Sequence, residues 1–509
     1  MFGLRLALLG FLIATTAGLG AGAGHPSSAD AARDAGLPLF GVTLGTSPGP
    51  NAAGHAQGVG AGFASVHFDW TELEPTQRDP SDPNFLDPGA VARLDALLSD
   101  LTSRGIVPVA GVGGAPSWAA SHRNGPLYGD KAGAYTAFLT KLVERYKGPP
   151  YNVNHWILWS EADAVSTSLP PEFQDRGAWA DDPAGLADVM RASYAAIKQV
   201  DPDAIVIMGP LAHDWFYDPA PGTTWPPNGG SSPGFNWGGI FRYTFLDQVL
   251  DRMLSTGGLA FDVLGVNAYI TFAPGWERDA RRRGRSDVDV AAKISHIQAR
   301  LARRGVDVPI YVGESGFWSA GTAAYVTDPQ GNQIGRLPAS QETQAEYVAK
   351  LYARARSVGA AAVAWYAIDE IDTTTEHGLV DANGNGKLAY QAYRWTASVL
   401  RTPARGMAPA LIKPVLGNVE SYAFAGTAGC SAEPCHTVIA WATGSVSPYA
   451  RVVAASGLRA YNLTGNPVSP IGPDSSGRLL YELTDSPVFF QRVNYSVVVP
   501  LSLRIWSGG

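Results

Sequence analysis

Hydrophobic positions along residues 38 to 403 follow two alternating patterns. Short apolar segments rich in β-branched residues predict strands, and longer segments with apolar residues three or four positions apart predict helices between them. The eight predicted strands are Leu39–Thr43, Ala61–Phe68, Ile106–Val112, His155–Trp159, Ala204–Met208, Phe261–Val266, Val308–Val312 and Ala361–Trp365. The predicted helices include Val91–Arg104, Ala132–Tyr146, Gly185–Val200, Val290–Arg303 and Gln341–Arg356.

Eight strands that are each followed by a helix are typical of a (β/α)8 TIM barrel. Ser103-Arg-Gly105 and Arg303-Arg-Gly305 support two of the helix ends, because Gly favours the left-handed conformation that closes a helix. The alternative α/β fold is a doubly wound open sheet, which often has a Gly-rich phosphate loop after its first strand, and Gly41–Gly45 does not match that loop. We therefore predict an α/β fold with a barrel over residues 38–403.

The pattern changes after residue 404. Short apolar segments are now separated by Gly, Pro, Asn and Ser turns, with no helical segments between them. These segments are Thr437–Thr443, Arg451–Ala454, Leu479–Leu483 and Val497–Leu503. We predict a small antiparallel β domain, a β-sandwich, over residues 404–509.

The first 30 residues predict a secretory signal peptide: Arg5 precedes an apolar run from Leu6 to Ala17, and small residues follow. The alternative is a retained anchor, for which the run is short. We expect a secreted, periplasmic or cell-surface protein without stable membrane insertion. In such a compartment Cys430 and Cys435 are expected to form a disulfide, and metal ligation beside His436 is the weaker alternative.

Composition narrows the range of partners. The 509-residue chain carries a formal net charge of -7, so we expect no nucleic-acid partner. Asp381–Gly386 begins like a calcium-binding loop, but Ala392 stands where that loop needs its closing Glu, which favours a Gly-rich turn. We expect no metal and no cofactor. Nothing in the sequence indicates the oligomeric state.

Two acidic residues directly follow predicted strands. Glu161 comes after the fourth strand and Glu314 after the seventh, and in a barrel these strand ends line the active site. Either residue alone could be a hydrogen-bonded structural carboxylate. Together they suit retaining glycoside hydrolysis, which needs two carboxyl groups about 5–5.5 Å apart, so we expect a separation within about 6 Å.

The surrounding residues resemble clan A glycoside hydrolases. His155–Asp163 resembles their W-x-x-W-N-E-P-D motif on strand four, and Ile310–Gly316 resembles their strand-seven motif. The resemblance is closest to family 39, the β-xylosidase and iduronidase type, and extends over residues 38 to 500. The other similar segments are Phe68–Pro75, Pro116–Trp118, Asn267–Tyr269, Ala364–Tyr366, Tyr461–Pro467 and Leu483–Pro487.

The resemblance implies a role for each matching residue. Glu161 corresponds to the acid/base and Glu314 to the nucleophile. Tyr269 corresponds to the tyrosine that hydrogen-bonds the nucleophile, and Trp365 to the tryptophan under the first sugar. Further candidates for substrate binding, from strand ends and βα loops, are Ser160, Trp118, His213, Trp318 and His67.

Two positions depart from the clan pattern. Ser160 replaces the Asn that contacts the sugar 2-hydroxyl, and Ser65 lies near the place of an Arg that supports the nucleophile, with His67 the nearest polar alternative. We predict a secreted retaining glycoside hydrolase that cleaves an oligo- or polysaccharide. A carbohydrate-binding barrel with little or no catalytic activity and a transglycosylase are the alternatives. Ser160 and Ser65 favour the carbohydrate-binding barrel, whereas the presence of both Glu161 and Glu314 argues against it.

Overall fold

The described part of the molecule covers most of the barrel and part of the C-terminal region. The computed structural model describes residues 35–165, 179–212, 231–233, 240–242, 244–269, 290–319, 325–327, 333–336, 340–370, 376–400, 419–425, 436–442, 449–451, 458–473, 475 and 479–493. The predicted signal peptide, His213, Cys430, Cys435 and the start of the predicted β domain at residue 404 lie outside these residues.

Eight parallel strands close into a barrel, as the sequence predicted. Around the barrel, β1 pairs with β8 and β2, and every other strand pairs with its neighbours in chain order. The strands are β1 (Phe40–Thr43), β2 (Phe63–Asp69), β3 (Val107–Gly113), β4 (His155–Leu158), β5 (Ile205–Leu211), β6 (Val263–Asn267), β7 (Ile310–Ser315) and β8 (Ala362–Tyr366).

A helix follows each strand and packs its apolar face against the outside of the barrel. Asp87, Asp182 and Ser340 cap three of these helices by accepting hydrogen bonds from backbone N–H groups of the first turn. Gly105 and Gly305 adopt φ of 74° and 69° just after helices end, as their sequence context predicted. The helices are α1 (Ala52–Val59), α2 (Pro88–Ser103), α3 (Ala132–Tyr146), α4 (Pro183–Val200), α5 (Phe245–Ser255), α6 (Val290–Ala302), α7 (Gln341–Ser357) and α8 (Leu388–Leu400).

The lower interior of the barrel is a packed apolar core. Its side chains come from alternating strand positions and include Phe63, Ile157 and Tyr311. Gly41 leaves room for this packing, because a Cβ there would overlap the Phe63 ring. Ala35 is buried against the same cluster, and its carbonyl oxygen lies 2.8 Å from Nε2 of the buried His155. The segment before β1 therefore closes the bottom of the barrel, and solvent reaches the interior from the other end.

The C-terminal region forms two antiparallel sheets, and the expectation of antiparallel strands there is confirmed. One face of the larger sheet, which includes Val438 and Phe490, packs with Tyr481 and Leu483 of the smaller sheet. The sheet orders are β9-β10-β15-β12 and β11-β14-β13, with β9 (Val419–Ala425), β10 (His436–Ala442), β11 (Tyr449–Arg451), β12 (Arg459–Tyr461), β13 (Gly472–Pro473), β14 (Leu479–Glu482) and β15 (Val488–Val493).

The other face of the larger sheet packs against the barrel helices. Arg354 of α7 forms two hydrogen bonds of 2.7 Å with the buried Glu420 carboxylate, and Trp441 lies under the Arg354 guanidinium. This buried ion pair joins the β domain to α7, and each of the two charges is stabilised by the other. Among the described residues, no helix is both long and apolar enough to cross a membrane.

Candidate active site

The carboxyl ends of the strands form a polar mouth above the apolar core. On β2 the interior-facing positions change from the buried Phe63 to the half-exposed Ser65, His67 and Asp69. Because residues two apart on a strand share a face, all four side chains point to the barrel interior. On this strand the polar, solvent-accessible side chains therefore lie toward the carboxyl end, where active sites of this fold occur.

The end of β4 carries Glu161 on an unusual backbone. Trp159 and Glu161 have φ of 61° and 56°, a left-handed conformation that is uncommon outside glycine. The Glu161 N–H donates to the Pro210 carbonyl at 2.7 Å, which ties this turn to the end of β5. Gly209 permits the close approach, since a Cβ there would overlap the Trp159 carbonyl oxygen. The half-exposed Ser160 precedes Glu161 in this turn.

Glu314, at the end of β7, is held by residues at the end of β6. The Tyr269 hydroxyl donates to Oε2 of Glu314 at 2.8 Å, and the Ala268 N–H donates to the Glu314 carbonyl at 2.8 Å. Ser315, the next residue, donates from Oγ to the Ala268 carbonyl at 2.6 Å. Gly313 lets the strand pass close to Pro210, because a Cβ there would overlap the proline ring. The contact expected between Tyr269 and Glu314 is present.

The end of β6 also contacts Glu161. Asn267 is buried and donates from Nδ2 to Oε1 of Glu161 at 2.8 Å. This contact between Asn267 and Glu161 was not predicted from the sequence. The available signal was the position of Asn267 two residues before Tyr269, which puts both side chains on the interior face. Asn267 and Tyr269 thus connect the two carboxylates through one strand end.

Burial and the negative charges of Glu314 and Glu161 all raise the pKa of the Tyr269 hydroxyl. Burial, the charge of Glu314, Tyr366 and the charge of Glu161 hold the pKa of Tyr269 well above its usual value. Tyr269 therefore remains protonated at neutral pH and donates its hydrogen to Glu314. A donor to the ionised form favours the carboxylate, so this hydrogen bond stabilises the charged state of Glu314.

A second polar group lies at the end of β2. His67 Nε2 is 3.5 Å from Oδ2 of Asp69, and Arg123 forms an ion pair with the same carboxylate oxygen. Burial opposes ionisation of Asp69, but the hydrogen bonds and charges of His67 and Arg123 prevail and lower its pKa. Asp69 is consequently a fixed negative charge beside the half-exposed His67, and the pair is a polar wall of the mouth.

The predicted tryptophan of β8 is not at the mouth. Trp365 is fully buried, packs edge to face on Tyr347 of α7, and donates from Nε1 to the His377 carbonyl at 3.4 Å. The next residue, Tyr366, is half-exposed, and its ring centre lies 6.2 Å from that of Tyr269. The aromatic side chain that β8 presents to the interior is therefore Tyr366, not the neighbouring Trp365 that was predicted.

Two other predicted aromatic residues pack mainly against protein. Trp318 is buried and stacks on Phe317 with ring centres 4.6 Å apart. Trp118 is half-buried, contacts Trp70 edge to face and donates to the Glu74 carbonyl at 3.3 Å. Trp318 thus offers almost no surface to a ligand, and Trp118 offers only part of its ring.

The segment that begins like a calcium loop closes on itself. The Asp381 carboxylate accepts hydrogen bonds from the backbone N–H groups of Asn383 at 2.9 Å and Asn385 at 2.8 Å, and Gly384 has φ of 82°. This is the Gly-rich turn that the sequence favoured. Within the described ranges, no group of three or more His, Cys, Asp or Glu side chains could hold a metal ion.

The barrel and its β domain are similar to solved glycoside hydrolase structures. A family 39 glycoside hydrolase from the gut symbiont Bacteroides cellulosilyticus WH2 aligns at a TM-score of 0.58 and 18% identity, over 90% of this chain and 81% of that chain. The catalytic domain of the family 30 xylanase C from Talaromyces cellulolyticus gives 0.55 and 14%, over 90% and 97%. A monomeric β-xylosidase from Caulobacter crescentus CB15 gives 0.52 and 12%, over 89% and 97%.

No protein-family model and no curated protein sequence matches the chain. The likeness to the solved structures is one of fold, since their sequence identity to this chain is low.

Proposed function

We propose that this protein is a retaining glycoside hydrolase in which Glu314 is the nucleophile and Glu161 the acid/base. The observation that carries the proposal is the end of β6, where Asn267 donates to Glu161 and Tyr269 donates to Glu314. This pair of contacts orients two carboxyl groups toward one solvent-accessible mouth. Two such groups in one cleft are the requirement of glycoside hydrolysis by double displacement.

In the first step the ionised Glu314 attacks the anomeric carbon of the sugar. A covalent bond forms between a Glu314 carboxylate oxygen and that carbon while the glycosidic C–O bond breaks. Glu161 gives its proton to the departing oxygen, which leaves as an alcohol. The Tyr269 hydroxyl supports this step because it keeps Glu314 ionised and fixes the direction of its carboxylate.

In the second step Glu161, now ionised, removes a proton from a water molecule. The water oxygen bonds to the anomeric carbon, the bond to Glu314 breaks, and both glutamates return to their starting states. Two inversions at one carbon leave the configuration of the substrate unchanged. The Asn267 amide favours both halves of the cycle, because it donates to Glu161 in either protonation state.

The substrate is a carbohydrate, and we propose an oligo- or polysaccharide. Tyr366 takes the stacking role first expected of Trp365, since its ring is the one that faces the mouth. Ser160, next to Glu161 in the chain, and His67, near the end of β2, are half-exposed and are suited to hydrogen-bond sugar hydroxyls. Xylosides and glucosides are the first candidates, because solved structures of similar fold are described as a β-xylosidase and a glucosidase.

We also propose that the protein is exported and that Cys430 and Cys435 form a disulfide. The support is the pattern of the first 30 residues and the proximity of the two cysteines in the sequence. N-terminal sequencing and thiol titration of the exported protein test this: an uncleaved start or two reactive thiols would contradict it.

The function is tested by incubating the purified protein with aryl glycosides of common sugars and with plant and microbial polysaccharides. We expect release of the aryl group from one class, and proton NMR of the first product should show the anomeric configuration of the substrate. An inverted first product would reject the retaining mechanism. Binding of an oligosaccharide by calorimetry without any turnover would instead establish the carbohydrate-binding alternative, which the small Ser160 favours.

A further inference from the structure

Lys293 is a buried cation directly behind the mouth. It lies in the first turns of α6, its side chain has no exposure to solvent, and its ammonium group donates to backbone carbonyls that include those at the ends of β5 and β6. These are the carbonyl of Leu211, at 3.3 Å, and the carbonyl of Asn267. An ammonium group in a protein interior is costly unless several acceptors surround it, so this arrangement needs a physical reason.

Both carbonyls belong to strand ends that hold Glu161. Asn267 donates from its side chain to Oε1 of Glu161, and Pro210, the neighbour of Leu211, accepts the Glu161 N–H. The following residue, Ala212, donates its N–H to Oδ1 of the buried Asp163 at 2.8 Å. The ends of β5 and β6 therefore hold the backbone and the carboxyl group of Glu161, and Lys293 joins those two ends to each other.

Glu314 is held by different contacts. Its carboxylate accepts from Tyr269, its carbonyl accepts from the Ala268 N–H, and the Ala268 carbonyl accepts from Ser315 Oγ and from the Tyr347 hydroxyl at 3.3 Å. The Ala268 N–H belongs to the same peptide group as the Asn267 carbonyl that Lys293 contacts, so Glu314 follows the end of β6. These hydrogen bonds go to the end of β6 and to α7, whereas Glu161 is held from both β5 and β6. A change in the spacing of β5 and β6 therefore displaces the acid/base more than the nucleophile.

We propose that Lys293 is a positioning residue for the acid/base, and this inference rests on the function proposed above. Its ammonium group joins β5 to β6, so that Asn267 and Pro210 present Glu161 to the departing oxygen at one fixed angle. The backbone pairing of β5 with β6 ends at Leu211 and Val266, so without that cation the segments beyond this pair shift and the Glu161 carboxyl group moves. Proton donation then weakens, whereas attack by Glu314 continues.

The test uses Lys293→Met, which keeps an unbranched apolar side chain as far as Cε and removes the ammonium group. We compare kcat/KM over a series of aryl glycosides whose leaving groups range from dinitrophenol to unsubstituted phenol. A poor leaving group needs the acid, so its kcat/KM should fall about 100-fold, and that of the dinitrophenyl glycoside, which needs no proton, by less than about fivefold. An equal fall across the series would show a merely structural role and overturn the proposal.

Lys350→Met is the matched control. Lys350 is also buried, lies on α7, and pairs with Glu346 at 3.6 Å, away from the mouth and beside the β domain. We expect its leaving-group dependence to match that of the wild type. If Lys293→Met does not fold, Lys293→Gln replaces it, because its neutral amide keeps one donor for the carbonyls, and the same gradient along the series is expected.

A crystal structure of the same Lys293 variant separates failure of this inference from failure of the proposed function. If the wild type cleaves no glycoside, the proposed function fails, and the positioning role is then decided by geometry alone. We expect the distance from Asn267 Nδ2 to Glu161 Oε1 to exceed 3.5 Å in the variant, beyond hydrogen-bond length. Retention of the wild-type distance of 2.8 Å would overturn the role of Lys293.

Discussion

The two ends of the barrel use the same eight strands in opposite ways. At the bottom, regular strands enclose apolar side chains, and the segment with Ala35 covers them. At the mouth, Glu161 lies on a left-handed backbone, and hydrogen bonds from Asn267 and Tyr269 organise two carboxylates. Stability is expected to depend mainly on the bottom and chemistry on the mouth, which is the general division of labour in this fold.

The contrast has a physical basis in hydration. Glu161, Glu314 and His67 are all half-exposed, so the ionisable groups of the mouth keep part of their water. At the bottom, His155 is buried, and burial lowers its pKa and favours its neutral form. Variants at the mouth should therefore change rates, and variants at the bottom should change the free energy of unfolding.

The largest effect is expected for Glu314→Ala. Without the nucleophile no covalent intermediate forms, so kcat should fall by about 10⁵-fold or more on every glycoside. The measurement is a rate assay with the best aryl glycoside, with circular dichroism to verify the fold. Since Glu314 is half-exposed at the mouth, the melting temperature should change little. A variant that keeps more than a few per cent of wild-type activity would remove Glu314 from the mechanism.

Glu161→Ala should have a smaller effect that depends on the substrate. Glycosides with poor leaving groups should lose about 10²–10⁴-fold in kcat/KM, and dinitrophenyl glycosides far less. Azide should restore the second step by entering the vacated space and give a glycosyl azide of unchanged configuration. If azide instead rescues Glu314→Ala and yields the inverted product, the roles of the two glutamates are exchanged.

Tyr269→Phe removes the donor to Glu314 and should lower kcat by about 10²–10³-fold, the usual effect of losing one oriented donor in a catalytic site. Tyr135→Phe is the control, because its buried hydroxyl has no hydrogen-bond partner among the described residues. That variant should keep wild-type kcat and equal or greater stability. Equal kcat values for the two variants would argue against a role of Tyr269 in supporting Glu314.

Gly209→Ala should affect both stability and rate, because the added Cβ overlaps the Trp159 carbonyl and displaces the turn that carries Glu161. We expect a loss of about 1–3 kcal/mol in the free energy of unfolding. Gly133→Ala on α3 is the control, since nothing lies within 4 Å of the new Cβ, and it should be neutral or stabilising. Chemical denaturation measures both. Equal stabilities would mean that the β4 turn does not require glycine.

The smallest effect concerns His155 at the bottom of the barrel. Burial lowers its pKa, against the opposing hydrogen bond to the Ala35 carbonyl. The unfolded chain therefore binds the proton first, and the stability contributed by neutral His155 is present above about pH 6.5 and lost as the pH falls toward the lower folded pKa. Between about pH 7.5 and about pH 5.5 the wild type should lose roughly 1 kcal/mol more than His155→Gln.

The comparison of denaturation curves at the two pH values provides its own control, because Gln keeps a donor for the Ala35 carbonyl but does not titrate. Parallel losses in the two proteins would show that His155 is not a source of acid sensitivity. Activity at pH 7.5 should be the same in both, as expected for a residue at the end of the barrel opposite to the mouth.

Much of the fold could be predicted from the chain alone. The alternation of apolar segments gave eight strands in the right order, and the Gly residues at 105 and 305 marked helix ends correctly. The positions of Glu161 just after strand four and of Glu314 at the end of strand seven also followed from the sequence, although β7 continues through Glu314 to Ser315. The strands, the helix ends and the strand-end positions are each set by residues close together in the sequence, within one strand or helix.

The side to which a residue points on β8 was decided by the tertiary structure. Ala362–Tyr366 is apolar at every position and buried on both faces, so no alternation of polar and apolar residues distinguishes the interior from the helix side. Only the pairing of β8 with β1 and β7 places Tyr366 at the mouth and Trp365 against α7. The sequence determined that an aromatic residue ends this strand, and packing determined which one.

The connection between the carboxylates was likewise decided only in three dimensions. The Asn267 amide contacts Glu161, which lies 106 positions away in the chain, and Lys293 of α6 contacts Leu211 of β5. Local sequence preferences report on neighbours within a few residues, whereas these hydrogen bonds exist because closure of the barrel brings distant strand ends together. The sequence by itself determined that two carboxylates lie at the ends of strands four and seven, and barrel closure decided which side chains touch them, since closure alone sets the distance between strands four, six and seven.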